Sequence, residues 1–363
     1  MDITALIRPD ILTMAPYTPI LPFDVLSQRL GRAPADLIKL DANENPYGPS
    51  PRALAALARL EYAHIYPDPE STALRRALAA HTGVPAAQLL AGAGADELID
   101  LVLRLFLAPG ERVLDCPPTF GMYPFDTALN AGQVVTVPRR ADFSVDVDAV
   151  SAAVAVAPAP KVIFLASPNN PDGSVLGDDD LLRLLALPVV VVLDEAYIEF
   201  HGVEYSRLGW VRQHDNLIVL RTFSKRAGLA GLRVGYGAFP AALMPHLWKI
   251  KQPYNISVAA SAAAVAALED PAYLERVVGL LTAERERLAA ALAAVPYLRL
   301  YPSRANFILG RVIGRDARAL KLALEREGIL VRYFSKPGLT DCIRISVGKP
   351  EHTDALLAAL GRI

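Results

Sequence analysis

The sequence is poor in cysteine: Cys116 and Cys342 are the only two among 363 residues. Two thiols so far apart exclude a disulfide framework and a cysteine metal cluster, and a reducing compartment is the default. An excess of one charge is also missing. Lys and Arg number 37 against 38 Asp and Glu, well mixed, for a net charge of -1. No basic stripe invites nucleic acid, and no charged tail is present. Long apolar runs are absent too. Leu187–Leu193 and Val258–Leu268 are too short to span a bilayer. Met1–Pro9 has neither a basic n-region nor a long apolar core, so it does not read as a signal peptide. The expectation is a soluble cytoplasmic protein with no membrane and no nucleic-acid partner.

What the chain does have is apolar side chain. Hydrophobic residues make up 53% and charged residues 21%, enough for a large core and too apolar for disorder. The length favours two domains, or one large domain with an appendage. Residues 1–40 are rich in proline and read as an arm with one short helix, Phe23–Leu30. Leu40–Ser50 is a polar, turn-rich loop, closed by a Ser50-Pro51 helix start. From Leu89 onward, strand and helix signals alternate. Strands are read at Arg112–Asp115, Gln133–Val137, Lys161–Ala166, Val189–Leu193 and Leu217–Leu220, and several of them run into loops dense with polar residues. Fully apolar strands belong to a mostly parallel sheet covered on both faces, and such sheets bind ligands at the carboxyl ends of their strands. The loops therefore converge, although they lie more than 100 residues apart. From about residue 266 the composition shifts to helices rich in Ala, Leu, Glu and Arg, with short strands at Leu298–Tyr301, Phe307–Leu309, Leu330–Arg332 and Cys342–Val347. The predicted architecture is α/β: an arm (1–40), a large domain with a mostly parallel sheet (41–265) and a smaller α+β domain (266–363).

The densest chemistry lies in Arg221–Tyr236. Lys225 follows a buried strand, an unusual place for a lysine. There it can lose part of its solvation and attack a carbonyl. Ser224 and Arg233 flank it with a hydroxyl and a guanidinium, the groups that hold a phosphate. A carbonyl plus a phosphate points to pyridoxal phosphate held as a Schiff base. The plainer alternative is a surface turn with a solvated Lys-Arg pair, and the convergence of the loops counts against it. Gly92-Ala93-Gly94 leads into a helix whose free amides suit a phosphate. The third glycine of a dinucleotide fingerprint is missing, which disfavours a dehydrogenase.

Asn170-Pro171, Asp194-Glu195-Ala196-Tyr197, Ser224-Lys225, Arg233 and Arg344 together resemble the fold-type I pyridoxal-phosphate aminotransferases. More narrowly, Leu40–Ser50, Gly94–Glu97, Cys116–Tyr123, Ser167–Gly173, Asp194–Phe200 and Arg221–Tyr236 are similar to the histidinol-phosphate aminotransferase branch, in the same order over nearly the whole chain. The resemblance implies a homodimeric transaminase of histidine biosynthesis. It would exchange an amino group between histidinol phosphate/imidazole acetol phosphate and glutamate/2-oxoglutarate. Lys225 would carry the cofactor and move the proton. Asp194 would keep the pyridine nitrogen protonated, while Asn170 and Tyr197 bond the ring oxygen. The Ala95 and Asp96 amides, Thr222, Ser224 and Arg233 would hold the phosphate, with Tyr66 reaching it from a second subunit. Phe120 would stack on the ring, where the family usually has tyrosine. Arg344 would clamp the α-carboxylate and Arg332 the substrate phosphate, with Tyr17 and Asn43 lining the pocket. No metal is implied. Asp172 stands where threonine is more common, and Arg226-Ala227-Gly228 departs from the usual residues after the lysine. The rivals are an aromatic-amino-acid aminotransferase, a phosphothreonine decarboxylase and a non-catalytic sensing module. The last would need an attached DNA-binding domain, for which residues 1–40 are too short.

Overall fold

The computed structural model describes residues 1–16 and 21–363; Tyr17 therefore lies outside the described residues. The described strands are β1 (Ile38–Leu40), β2 (Leu89–Gly92), β3 (Arg112–Asp115), β4 (Gln133–Thr136), β5 (Val162–Ala166), β6 (Val190–Asp194), β7 (Leu217–Thr222), β8 (Gly235–Ala238), β9 (Leu298–Leu300), β10 (Phe307–Val312), β11 (Ile329–Tyr333) and β12 (Cys342–Ser346).

Seven of them form one sheet in the order β2-β8-β7-β6-β5-β3-β4. The run from β7 to β4 is parallel, and β8 is antiparallel to both of its neighbours. The alternation of side chains divides the core by face. Leu114, Ile163, Leu165, Val191, Leu193 and Val219 pack into one cluster. Their sequence neighbours Val113, Val162, Phe164, Val192, Ile218 and Leu220 pack into another on the opposite face. Both faces are thus dry, which is why these strands read as unbroken apolar runs. Each buried aliphatic chain contributes roughly 1.5–3 kcal/mol, so the sheet is a rigid base for its loops.

The second sheet has the order β1-β11-β12-β10-β9. It packs on the long helix Pro271–Ala293 and the helices Ala317–Arg326 and Pro350–Leu360 through a core of Leu281, Leu288, Phe307, Leu324, Ile343 and Leu356. Residues of the arm are built into it: β1 pairs in parallel with β11. The helix Val258–Leu268 spans residue 266, and its small Ala260, Ala263, Ala264 and Ala267 pack in the core of the large sheet.

Two strands escape the periodicity argument. In β8, Gly235 and Gly237 alternate with Tyr236 and Ala238, so no apolar run announces it. With three residues, β1 is too short to show a period. The helices Met122–Leu129 and Val147–Val154 also lie where the sequence signals only loop and strand.

Candidate active site

The functional loops gather at one edge of the large sheet. β5, β6 and β7 end beside one another there, with Ala166 opposite Asp194 and Asp194 opposite Leu220. Because β8 runs the other way, its first residue, Gly235, sits at that same edge between Thr222 and Gly92. Arg233 precedes β8 and is thereby brought to the helix that follows β2.

That helix, Ala95–Phe106, starts at Gly94 with no side-chain cap, leaving its first amides to bind an anion. Arg233 Nη2 donates to Asp96 Oδ2 at 2.9 Å. Gly94 has φ +83, and a Cβ there would stand 2.5 Å from Arg233 Nη2; only glycine lets the guanidinium come this close. On the neighbouring strand Thr222 Oγ1 donates to Ser224 Oγ at 2.9 Å and accepts from the Ser224 amide at 3.1 Å. Ala95, Asp96, Thr222, Ser224 and Arg233 are therefore brought together as a cup of amides, hydroxyls and one guanidinium.

Asp194 closes β6 and is buried. Its Oδ1 accepts from the Ala196 amide at 2.9 Å and its Oδ2 from the Tyr123 hydroxyl at 2.8 Å. Burial pushes its carboxyl up to about 6, against the Tyr123 and Ala196 hydrogen bonds and the Lys225 charge, which favour the anion. Tyr123 carried no role in the sequence reading. A tyrosine one helical turn after Phe120 is most simply a core aromatic, and only the fold shows its hydroxyl on Asp194.

Lys225 is half-buried three residues past β7. Its Nζ lies 3.5 Å from the Ala42 carbonyl and 5.5 Å from the centre of the Tyr197 ring. The buried Tyr197 hydroxyl accepts from Asn43 Nδ2 at 3.1 Å. Asn43 is fixed in turn: its amide donates to Ser346 Oγ at 2.8 Å, and its carbonyl accepts from Asn306 Nδ2 at 3.0 Å. The loop after β1 thus laces the lysine pocket to the second sheet.

From that sheet come the two arginines. Arg332 and Arg344 are directly opposite across the antiparallel pair β11–β12, so both side chains leave on one face. The buried Arg344 donates from Nη1 to Asn170 Oδ1 at 2.5 Å and from Nη2 to the Asp41 carbonyl at 2.7 Å. Its guanidinium also lies over Phe307 and Phe334. Asn170 and Arg344, 174 positions apart, meet here. Phe120 packs edge-on against Tyr123 at 5.6 Å between ring centres. Tyr66 is 80% exposed and stacks on Tyr254 at 4.7 Å.

The two departures have structural accounts. Asp172 is buried, accepts from Asn169 Nδ2, and accepts from the Ser174 amide at 2.7 Å, so it closes the turn with its own carboxylate. The Arg226 carbonyl accepts from Asn45 Nδ2 at 2.9 Å, and its guanidinium lies 3.8 Å from Glu199 and 3.2 Å from His81 Nε2. Glu195, beside Asp194, is structural: it holds the buried Arg221 at 3.1 Å, and it accepts from Ser206 Oγ and the Arg207 amide, both at 2.6 Å.

This donor set suits a phosphorylated heterocyclic aldehyde. A cup of amides, hydroxyls and a guanidinium has the chemistry to take a phosphate, an amine to take a carbonyl, and a buried carboxylate to pair with a cationic ring nitrogen. The family model described as aminotransferase class I and II matches residues 35–360, and the chain belongs to that family. Within it, a chloroplastic histidinol-phosphate aminotransferase of Nicotiana plumbaginifolia is 57% identical over 98% of this chain and 86% of its own length. A histidinol-phosphate aminotransferase of Roseiflexus castenholzii is 54% identical over 100% and 99%. Among solved structures, the histidinol-phosphate aminotransferase of Sinorhizobium meliloti in complex with pyridoxal-5'-phosphate superposes with a TM-score of 0.89 at 32% identity, over 98% of this chain and 96% of that one.

Proposed function

We propose that the chain is a pyridoxal-phosphate transaminase that exchanges an amino group between histidinol phosphate/imidazole acetol phosphate and glutamate/2-oxoglutarate, in histidine biosynthesis. The observation that carries the substrate class is the facing pair Arg332–Arg344. Two guanidiniums on one face favour a substrate with a strongly anionic group, and Arg344 alone gives a planar fork for a carboxylate.

Pyridoxal phosphate, when bound, supplies an aldehyde that carries the amino group and a ring that draws off electrons. The chain does the rest. The amide cup with Ser224 and Arg233 anchors the phosphate, and Phe120 packs against the ring. Asp194, anionic, holds the proton on the ring nitrogen. Asn170 and Tyr197 bond the ring oxygen. Lys225 would hold the aldehyde, and its free amine would move the proton at the substrate's α-carbon. Asn43 holds Tyr197 in place, and Arg344 and Arg332 orient the two anionic ends of the substrates.

A homodimer is part of this reading. Tyr66 is exposed at 80% beside exposed Tyr62 and Ile65, and this apolar loop supports a contact with a second copy that brings Tyr66 to the partner's phosphate cup. The separate cores of the two sheets support a large and a small domain, with the division best placed at Glu269-Asp270, after the helix Val258–Leu268. A cytoplasmic location accords with the two free, buried cysteines. No helix among the described residues is long and apolar enough to cross a membrane.

The test is a panel on the purified chain loaded with pyridoxal phosphate. Histidinol phosphate with 2-oxoglutarate must give the highest kcat/KM. A higher value with phenylalanine would assign the chain to the aromatic aminotransferases instead. Carbon dioxide released from phosphothreonine would make it a decarboxylase.

A further inference from the structure

Asp194 is held by two donors of different kinds. The Ala196 amide belongs to its own turn, whereas the Tyr123 hydroxyl comes from the helix Met122–Leu129, 71 positions away. Tyr123 is fully buried. Its ring stacks on Phe164 of β5 at 4.9 Å with the planes 10° apart, and Phe120 meets it edge-on at 5.6 Å. Thr127 Oγ1 ties the Tyr123 carbonyl into the helix at 2.7 Å. The ring thus has no room to swing, and its hydroxyl has one place to point. A hydroxyl in a dry site needs a partner; this one finds it in a carboxylate.

We propose that Tyr123 is a positioning residue for Asp194: its hydroxyl fixes the plane of the carboxylate and keeps it anionic, and so sets how firmly the ring nitrogen of the cofactor holds its proton. The proposal rests on the cofactor reading above. The chemistry is a competition for charge. Burial favours the protonated, neutral form of Asp194. Of the groups that favour the anion, Tyr123 acts most strongly, followed by the Ala196 amide and Lys225; Asp96 acts the other way. Around Tyr123 itself stand Asp194, Asp115 and Arg139. The two carboxylates disfavour loss of its proton, as does burial, so the phenol stays a donor throughout the working pH range. Removing the hydroxyl leaves Asp194 with one donor in a dry site. Its proton affinity then rises, and that of the ring nitrogen it faces falls.

The test uses Tyr123→Phe, which keeps the stacked ring and removes one oxygen. In the full chain without cofactor, the titration of a 13C-labelled Asp194 carboxyl must move up by at least one pH unit. In the chain loaded with ring-15N pyridoxal phosphate, the nitrogen must lose its proton at a pH at least one unit lower than in the wild type. Replacing Tyr123 with 3-fluorotyrosine, a stronger donor of nearly the same shape, must move both titrations the opposite way. This variant also serves if Tyr123→Phe folds poorly. Unchanged titrations in either folded variant overturn the proposal. The cofactor-free arm keeps the two readings apart: an unaltered Asp194 titration rejects the role of Tyr123, whereas a wild-type chain that takes up no pyridoxal phosphate rejects the cofactor.

Discussion

The edge of the large sheet and the face of the small sheet contribute to one site in different ways. At the large-sheet edge, backbone geometry does most of the work: an uncapped helix start, three adjacent strand ends and a reversed strand bring amides, hydroxyls, an amine and a carboxylate together. These groups sit on a base with both faces buried, and they suit the invariant part of the reaction, the cofactor. The small sheet contributes side chains. Arg332 and Arg344 project from neighbouring strands, and loop 41–45 with Asn306 and Ser346 stitches them to the lysine pocket. The proposed function therefore assigns the chemistry to the rigid layer and the choice of substrate to the layer that packs against it.

The sharpest way to break this division is to remove the amine. Lys225→Ala should lower kcat by at least ~10³-fold and abolish the visible band of the bound cofactor. Turnover near the wild-type rate would show that the large-sheet edge does not carry the chemistry. Next comes the joint between the layers. Gly228 has φ +69, and a Cβ there would stand 2.5 Å from the Gly48 carbonyl. Gly228→Ala should destabilise the chain by roughly 1–3 kcal/mol, read from urea unfolding, and weaken cofactor binding with it. A variant as stable as the wild type would mean that the loop after the lysine is not pinned to residues 48–49.

A smaller effect concerns the charge buried at the large-sheet edge. In the fold Asp194 takes up its proton at about 6, well above its ordinary 3.8. The folded chain therefore binds this proton more tightly than the unfolded one. The carboxylate costs stability above about pH 6 and nothing below about pH 4. Asp194→Asn should stabilise the cofactor-free chain by at most roughly 3 kcal/mol at neutral pH, with the gain shrinking as the pH falls through that window. A gain independent of pH would place the cause outside the charge.

The two regions also differ in how far they can be read from the sequence. The strands β5, β6 and β7 are apolar runs that stop abruptly at Ala166, Asp194 and Thr222, so polar residues stand out where the sheet ends. Lys225, Ser224, Asn170 and Asp194 are legible for that reason. Arg233 is legible as a motif residue, but its route to the helix at Ala95 depends on β8, whose alternating glycines hide the strand. Arg332 and Arg344 are twelve positions apart, and nothing in their spacing reveals that they stand opposite; strand register decides it. Tyr123 and Phe120 look like any core aromatics until the hydroxyl of one is seen on Asp194. The acidic neighbour Glu195 reads like a second site residue, yet it is spent on the buried Arg221. Tyr66, exposed on this chain and stacked on Tyr254, looks like any surface aromatic in the sequence.

The division of labour is tested most directly by titrating the loaded chain with histidinol phosphate and following the loss of the visible band, for the wild type and for Arg332→Ala. The account predicts the same band before substrate is added and a half-saturating concentration roughly 10–100-fold higher in the variant, with the glutamate titration moved far less. A variant whose resting band shifts while both titrations stay at their wild-type values would contradict it, because Arg332 would then serve the cofactor and not the substrate.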